Sequence, residues 1–351
     1  MKNELKLLID KLAAEHMLKK EEYVKLLKEC GPEESEYLAK KAREEKEKHY
    51  GNKVFIRGLI EVSNICKNDC YYCGIRKGNE NCERYRLTSE DILECCREGY
   101  ELGFRTFVLQ GGEDGHFTDE CLVTLLHNIK ANHPDCAVTL SLGERSKESY
   151  LALKEAGADR YLLRHETANE EHYGKLHPAE LSWKHRMECL QWLRECGYQV
   201  GAGFMVGSPY QTVEMLAEEL IFIEKFKPEM CGIGPFIPHK ETQFKDEPAG
   251  SVETTLLLLG MIRLIHPKVL LPATTALGTM AENGRERGIL AGANVVMPNL
   301  SPSSVRKKYM LYDNKLSDGA ESAQAKAELE RRMEAIGCMA AVDRGDFMQN
   351  E

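Results

Sequence analysis

The chain has 351 residues, of which 42% are hydrophobic and 29% are charged, and its formal net charge is −9. Lys and Arg are interspersed with Glu, so no basic face of the kind that binds nucleic acid is expected. No apolar run of about 18 residues occurs, and the charged amino terminus is unlike a signal peptide. These features predict a cytoplasmic globular protein with no nucleic-acid or membrane partner.

Cysteine is unusually frequent. The 13 cysteines are scattered and odd in number. In a long chain without an export signal, thiols are more often free or metal-bound than paired in disulfides. We therefore expect reduced cysteines, some of which bind metal.

Residues 1–50 are predicted to form a helical extension. Apolar residues recur at helical spacing from Leu5, and Gly31 and Pro32 mark the end of a second helix. A third helix over 36–49 is highly charged, which predicts a solvated face. At the other end, residues 301–351 are predicted to close the fold with a helix over about 317–338, followed by a polar tail.

Eight apolar runs of strand length alternate with helical patterns between these two segments. The runs cover residues 54–62, 106–109, 137–142, 160–164, 199–206, 230–235, 269–272 and 294–297. Such alternation is typical of the α/β class and predicts a complete (β/α)8 TIM barrel over residues 51–300. Because the chemistry of these barrels lies at the carboxyl ends of the strands, each strand end is a place to look for ligands.

Three cysteines directly follow the first predicted strand. Cys66, Cys70 and Cys73 have the spacing C-x3-C-x2-C. Three thiolates can hold three irons of a [4Fe–4S] cube and leave the fourth iron open. This spacing, with Tyr72 before the last cysteine, resembles the signature of radical S-adenosylmethionine (SAM) enzymes. The alternative is a zinc knuckle, in which Cys82 would supply the fourth ligand.

Gln110, Gly111, Gly112 and Glu113 follow the second predicted strand. The two glycines allow the backbone to approach a ligand closely. Radical SAM enzymes usually carry a similar Gly-Gly-Glu stretch at this place, where backbone groups meet the methionine amine. Taken by itself, the stretch is more simply interpreted as a tight turn.

The fourth predicted strand ends in a charged pair, Arg164 and Glu166, which share one face at period two. A glutamate there could accept the ribose hydroxyls of SAM, and an arginine could bind a substrate carboxylate in a bidentate manner. A structural salt bridge is the alternative. Arg186, early in the next helix, could hold the SAM carboxylate, although an arginine on a helix is exposed by default. Met230 could pack on adenine, although it could equally be a core methionine.

Hydroxyl groups mark several other strand ends. Thr139 could face the barrel interior, either to satisfy the backbone or to bind a ligand. The adjacent Thr274 and Thr275 could grip a carboxylate. Tyr309 and Tyr312, three residues apart, would share a face over the barrel mouth if they lay on a helix.

Taken together, these motifs resemble one family over essentially the whole chain: the HydE family, radical SAM maturases of [FeFe]-hydrogenase. The most specific stretches are residues 56–64, 70–76, 109–113, 164–167 and 272–275. The resemblance implies a (β/α)8 barrel that binds SAM at its cluster and has an internal cavity. It also implies action on an iron-bound, cysteine-derived substrate, with contacts to a partner maturase, a GTPase scaffold and an electron donor.

The resemblance also assigns individual residues. Cys66, Cys70 and Cys73 match the cluster ligands. Tyr72, Gln110, Glu166 and Arg186, and more weakly Met230, match positions around SAM. Residues that match the cavity for a carboxylate-bearing ligand are Thr139, Arg164, Thr274, Thr275, Met297, Tyr309 and Tyr312. Some members carry a second cluster near the carboxyl terminus, but residues 298–337 here contain no cysteine, which predicts a single [4Fe–4S] cluster.

Two other kinds of function compete with this interpretation. Another radical SAM enzyme of the biotin-synthase type, such as methylornithine synthase, would use the same SAM residues. Biotin synthase itself would need a second set of cluster ligands on barrel strands, and no matching set is found. A carrier that holds an iron compound without cleaving SAM would not need the Gly-Gly-Glu stretch or the Glu166 and Arg186 pair.

Overall fold

A computed structural model describes residues 2–317 and 322–348. Its helices are α1 (Asn3–Glu15), α2 (Lys20–Glu29), α3 (Pro32–Tyr50), α4 (Ser89–Glu101), α5 (Asp119–Asn132), α6 (Lys147–Glu155), α7 (Glu170–Leu176), α8 (Trp183–Glu195), α9 (Val213–Phe226), α10 (Val252–Ile265), α11 (Thr275–Met280), α12 (Gly284–Leu290), α13 (Ser303–Arg306) and α14 (Lys326–Ala335). Its strands are β1 (Lys53–Ile56), β2 (Gly58–Ser63), β3 (Thr106–Gly111), β4 (Ala137–Ser141), β5 (Arg160–Leu162), β6 (Gln199–Ala202), β7 (Met205–Val206), β8 (Met230–Cys231), β9 (Gly234–Pro235), β10 (Val295–Val296) and β11 (Met339–Ala341). Within this part of the chain, no helix is both long and apolar enough to span a membrane.

The centre of the fold is a parallel sheet of six strands in the order β2-β3-β4-β5-β6-β8. Helices connect successive strands, so the carboxyl ends of all six lie at one edge. β1 pairs in parallel with β10 and β11 in a second sheet. Isolated parallel bridges join Met230 to Leu270, Pro272 to Val295, and Leu59 to Asn299. The α/β architecture that the alternation of apolar runs predicts is thus confirmed.

Several predicted strands are interrupted. The first divides at Arg57 into β1 and β2, and the seventh is represented only by bridges at Leu270 and Pro272. The fifth divides between β6 and β7 at Gly203, whose φ is 157°. A Cβ on Gly203 would lie 2.0 Å from the carbonyl oxygen of Gly232, so only glycine fits this break.

The carboxyl-terminal region differs from its prediction. The expected helix over 317–338 is a short 3-10 turn, Ala323–Ala325, followed by α14, and residues 318–321 lie outside the described residues. The predicted polar tail contains β11, which pairs with β1. Beyond it, Asp346 forms an ion pair of 2.5 Å with Arg160. Because Arg160 is the first residue of β5, this segment covers the amino-terminal end of the sheet, opposite the cysteines.

The helices predicted in residues 1–50 are observed as α1, α2 and α3, which pack against α9 and α10. Lys20 contacts Glu218 at 2.6 Å, and His16 Nδ1 lies 2.7 Å from the carbonyl oxygen of Leu264. A Cβ on Gly260 would lie 2.1 Å from Leu38, which shows how closely α3 approaches α10. The extension therefore supports the outer face and lies away from the cysteine loop.

Candidate active site

The cysteine loop leaves the carboxyl end of β2 and is held by backbone hydrogen bonds from three directions. Lys67 N–H donates to the carbonyl of Glu113 at 3.0 Å, Tyr71 N–H to Leu176 at 3.0 Å, and Gly74 N–H to Leu311 at 2.9 Å. The end of β3, the end of α7 and the segment after α13 therefore all fix the same loop. Such a loop presents its side chains in a preset arrangement.

Arg84 organises the same loop from inside, a role that the sequence analysis missed. Its guanidinium donates to the carbonyl oxygens of Asn64, Ile75, Arg76 and Asn79 at 2.6–3.1 Å. Five donors in a fixed planar fork suit arginine, and not lysine, to join several carbonyls at once. Arg84 thus connects both ends of the loop that carries the three cysteines.

The three thiols are half-buried and influence one another. Burial raises the pKa of Cys70, and nearby Cys73 and Cys66 raise it further. Burial also raises the pKa of Cys73 to about 12. The backbone N–H of Glu113 donates to Cys66 Sγ at 3.4 Å. Because metal binding requires thiolates, filling this site would release protons.

Within residues 2–317 and 322–348, no group of three or more His, Cys, Asp or Glu side chains is arranged to hold a single metal ion. A [4Fe–4S] cube is a different kind of site, because each of its thiolates binds a different iron and the thiolates need not surround one ion. Cys82, the possible fourth zinc ligand, lies with its Sγ 3.5 Å from Asn64 Nδ2.

Gly112 lies where the segment after β3 closely approaches the segment after β2. A Cβ there would lie 2.3 Å from the carbonyl oxygen of Ile65 and 2.7 Å from Cys66 Cβ. The glycine predicted to permit a close approach is therefore needed first for the approach of the cysteine loop itself. Neither of these two neighbours can move without displacing the cysteine.

We expect Gly112→Ala to displace Cys66 and lower the cluster content after anaerobic reconstitution, with a loss of stability of about 1–3 kcal/mol from overpacking. Iron and sulfide analysis with thermal unfolding measures both effects. Gly115→Ala is the matched control, because a Cβ at exposed Gly115 would meet nothing within 4 Å. Equal cluster content in both variants would contradict the steric role of Gly112.

Glu144 links the predicted SAM residues, although the sequence analysis gave it no role. Glu113 Oε1 accepts from the Glu144 N–H at 3.0 Å. The Glu144 carboxylate accepts from Arg186 Nε at 2.5 Å, and Arg186 Nη1 donates to the carbonyl of Arg164 at 2.8 Å. Burial by itself would lower the pKa of Arg186, but Tyr173 and Glu144 raise it. The ends of β3, β4 and β5 and the start of α8 therefore meet at one buried charge network.

Glu166 has an unusual backbone conformation, with a φ of 65°. For a residue with a side chain this costs of order 1 kcal/mol and is concentrated at functional sites. Its N–H donates to the carbonyl of Gly203 at 3.0 Å, and the preceding His165 is fixed by a 2.7 Å contact between its Nε2 and buried Glu219. These contacts hold the Glu166 side chain at the carboxyl edge of the sheet, where Oε2 lies 3.3 Å from Arg164 Nη2.

Buried polar atoms without hydrogen-bond partners occur at several predicted substrate positions. Among the described residues these include Thr139 Oγ1, Arg164 Nε and Thr274 Oγ1. Gly234 lies so close that a Cβ there would be 2.7 Å from Thr274 Oγ1. A buried hydroxyl without a partner costs about 1–3 kcal/mol, so each calls for an explanation. A polar ligand inside the fold would supply the missing partners, and these residues therefore fit the ligand that the sequence predicts.

Tyr309 and Tyr312 do not share a helical face, because α13 ends at Arg306. Tyr309 is buried, and its hydroxyl accepts from Gln110 Nε2 at 3.4 Å. Lys315 lies above the Tyr309 ring at 5.4 Å and forms a buried ion pair of 2.7 Å with Glu61, a pair that the sequence analysis missed. This segment therefore covers the carboxyl end of β2 and β3 through specific polar contacts.

Met230 and Met297 pack against the same apolar cluster, together with Tyr50 and Phe55. Arg57 Nη1 lies 2.9 Å from the Met230 sulfur. The structure thus brings Met230 together with Met297, a predicted cavity residue, and not with the cysteine loop. Thr275 begins α11, and its Oγ1 accepts from Arg285 Nη2 at 3.4 Å.

Comparison with known proteins gives a consistent answer. The model of the radical SAM superfamily matches residues 60–223. The [FeFe] hydrogenase maturase subunit HydE of Thermotoga maritima is 46% identical over 80% of this chain and 80% of its own length. The chain belongs to the HydE family of radical SAM enzymes. Membership implies a [4Fe–4S] cluster and SAM as cofactors.

More distant relatives and solved structures are also similar to this chain. The 3-methylornithine synthase of Methanosarcina acetivorans is 30% identical over 87% of this chain and 85% of its own length. The crystal structure of methylornithine synthase PylB matches with a TM-score of 0.85 and 28% identity, over 95% of this chain and 97% of that one. The maturase HydG matches with a TM-score of 0.78 at 23% identity, covering 96% of this chain and 76% of its own, which shows the fold alone. The α/β fold of the HydE family chain is therefore the one found in methylornithine synthase.

Proposed function

We propose that this chain is an [FeFe]-hydrogenase maturase that cleaves SAM reductively and acts on a cysteine-derived, carboxylate-bearing, iron-bound substrate. The observation that carries the proposal is the 46% identity to HydE over 80% of both chains. The 30% identity to 3-methylornithine synthase supports a common reaction type, but it does not favour the mutase reaction here.

In this proposal Cys66, Cys70 and Cys73 hold one [4Fe–4S] cluster. A bound and reduced cluster would supply the electron for the reductive cleavage of SAM. The residues fit such a cluster because three half-buried thiols lie on one loop that backbone hydrogen bonds hold in place. No second set of ligands is proposed.

The surrounding residues would bind and orient SAM. The backbone of Gly111, Gly112 and Glu113 faces the cysteine loop and would receive the methionine part, with Gln110 and Tyr72 beside it. Glu166 would accept the ribose hydroxyls through Oε2, which makes no hydrogen bond although it lies 3.3 Å from Arg164 Nη2. Arg186 would attract the SAM carboxylate by its charge, while Glu144 and the Arg164 carbonyl hold its guanidinium in place.

The substrate would lie deeper in the fold. Arg164 would bind its carboxylate, and Thr139 and Thr274 would donate their hydroxyl protons, which supports the choice of an anionic ligand. Thr275, Met297, Tyr309 and Tyr312 would complete the walls. Met230 lies with Met297 in one apolar cluster, and its assignment beside adenine stays a prediction.

We further propose that the parallel strands close into a complete (β/α)8 barrel. The bridges from Met230 to Leu270, Pro272 to Val295 and Leu59 to Asn299 support closure. Residues 1–50 would form a helical extension, 51–300 the barrel and 301–351 the closing segment. The protein would act in the cytoplasm with an electron donor, the partner maturase and the GTPase scaffold.

The first test is electron paramagnetic resonance of the anaerobically reconstituted, dithionite-reduced protein with and without SAM. We expect a reduced [4Fe–4S] signal whose shape changes when SAM is added, because SAM would ligate the open iron. Stoichiometric zinc and no cluster signal would instead make the cysteines a structural knuckle. Incubation with an iron–cysteine complex then separates the maturase from the mutase, since only the former should convert the iron compound.

A further inference from the structure

The last turn of α7 contacts the cysteine loop at two adjacent residues. Tyr71 N–H donates to the carbonyl of Leu176 at 3.0 Å. Tyr72, between two of the cluster cysteines, places its hydroxyl 3.0 Å from His177 Nε2, with the two rings edge to face at 5.3 Å. One contact fixes the backbone of the loop and the other fixes its aromatic side chain.

The tautomer of His177 follows from its second nitrogen. Its Nδ1 lies 3.0 Å from the carbonyl oxygen of Tyr173, which can only accept a hydrogen bond. Nδ1 therefore carries the proton, and Nε2 accepts from the Tyr72 hydroxyl. Burial lowers the pKa of His177 to about 3, so this neutral form persists at ordinary pH.

The position of the His177 ring is itself fixed by packing. The ring is 2% exposed and stacks on Tyr173 at 3.9 Å with an angle of 25° between the planes. The Tyr72 hydroxyl therefore donates its single proton to an acceptor that packing holds in place. This hydrogen bond restricts the orientation of the Tyr72 ring, which lies between Cys70 and Cys73 in the sequence.

We propose that His177 is a positioning residue that sets the SAM site by fixing the ring of Tyr72 through its O–H···N hydrogen bond. The inference rests on the proposed function, in which Tyr72 lies beside SAM. In this proposal His177 would act through Tyr72 and would make no contact of its own with cofactor or substrate.

The test is SAM affinity and the SAM-dependent change of the cluster signal, measured on reconstituted, reduced holoenzyme. His177→Phe keeps a ring on Tyr173 but removes the acceptor nitrogen, and Tyr72→Phe removes the same bond from the other side. We expect each to raise the SAM Kd roughly fivefold to tenfold, the loss of one buried hydrogen bond. His177→Gln, whose Oε1 can replace Nε2 as acceptor, should restore most of the affinity.

The double variant distinguishes positioning from packing. If His177 acts only through the hydroxyl, Tyr72→Phe/His177→Phe should bind SAM no more weakly than either single variant. His133→Phe is the matched control, because buried His133 also ends a helix and stacks on a tyrosine, at 4.7 Å, away from the loop. It should lower the melting temperature without changing the SAM Kd.

Each outcome decides between the two proposals. Wild-type SAM affinity in both His177→Phe and Tyr72→Phe would overturn the positioning role while leaving the SAM site intact. Additive losses in the double variant would also overturn it. A wild-type protein with no SAM-dependent signal would overturn the proposed function and the inference with it. If His177→Phe does not fold, Tyr72→Phe and His177→Gln still test the bond.

Discussion

Cys70→Ser should abolish both the cluster signal and SAM cleavage. Cys70 is the central cysteine of the motif, and its pKa responds to both other thiols, so all three lie within electrostatic reach of one another. A serine oxygen is a harder and weaker ligand for iron than a thiolate. Loss of a neighbour that merely orients a metal ligand costs about 10- to 100-fold, so loss of the ligand itself should cost at least roughly 100-fold in 5′-deoxyadenosine formation.

Cys82→Ser is the control for this experiment. Cys82 is also half-buried, and it lies on the same connection between β2 and α4, but it falls outside the C-x3-C-x2-C motif. We expect it to retain iron, sulfide and SAM cleavage at close to wild-type levels. A retained cluster in Cys70→Ser would refute the ligand assignment, and equal losses in the two variants would favour a site with four cysteine ligands.

The parts of the fold that follow from local sequence could be predicted. Helices α1 to α3 and most strands of the parallel sheet appear where the spacing of apolar residues places them. β11 could not be predicted, because three residues gain strand structure only by pairing with β1, almost 300 positions earlier. Its sequence carries no alternation long enough to indicate a strand.

The same limit applies to the candidate site. Short motifs predicted the cysteine loop and the Gly-Gly-Glu stretch, because their residues are neighbours in the sequence. Glu144, His177 and Lys315 were missed because each contributes through a partner 42, 105 or 254 positions away. From the sequence alone, a charged residue such as Lys315 is predicted to be exposed, because its partner Glu61 is distant in the chain.

The tyrosine pair shows how a correct local spacing can mislead. Tyr309 and Tyr312 have helical spacing, but α13 ends at Arg306 and the chain then follows the contacts of Gly74 and Lys315. Tertiary contacts of the segment, and not its helix propensity, decide its conformation. The assignment of both tyrosines to the substrate cavity remains a prediction.

Arg164→Ala should weaken binding of the carboxylate-bearing ligand strongly while sparing SAM. The Arg164 side chain is 35% exposed, and its Nε and Nη2 make no hydrogen bond among the described residues. A hydrogen bond to a charged partner contributes about 1.5–3 kcal/mol, so ligand affinity should fall roughly 10- to 100-fold. SAM should still bind, because Arg186 contacts the backbone carbonyl of Arg164 and not its side chain.

Ligand binding can be followed by isothermal titration of the cluster-loaded protein with a cysteine-derived carboxylate, and SAM binding by the cluster signal. Arg164→Lys keeps the charge but loses the planar fork, so it should fall between wild type and Arg164→Ala. Arg145→Ala is the control, since Arg145 donates to the carbonyl of Phe117 and to Asp119 at the outer edge. Unchanged ligand affinity in Arg164→Ala, or an equal loss in Arg145→Ala, would remove Arg164 from the substrate site and leave its contact with Glu166 as a structural ion pair.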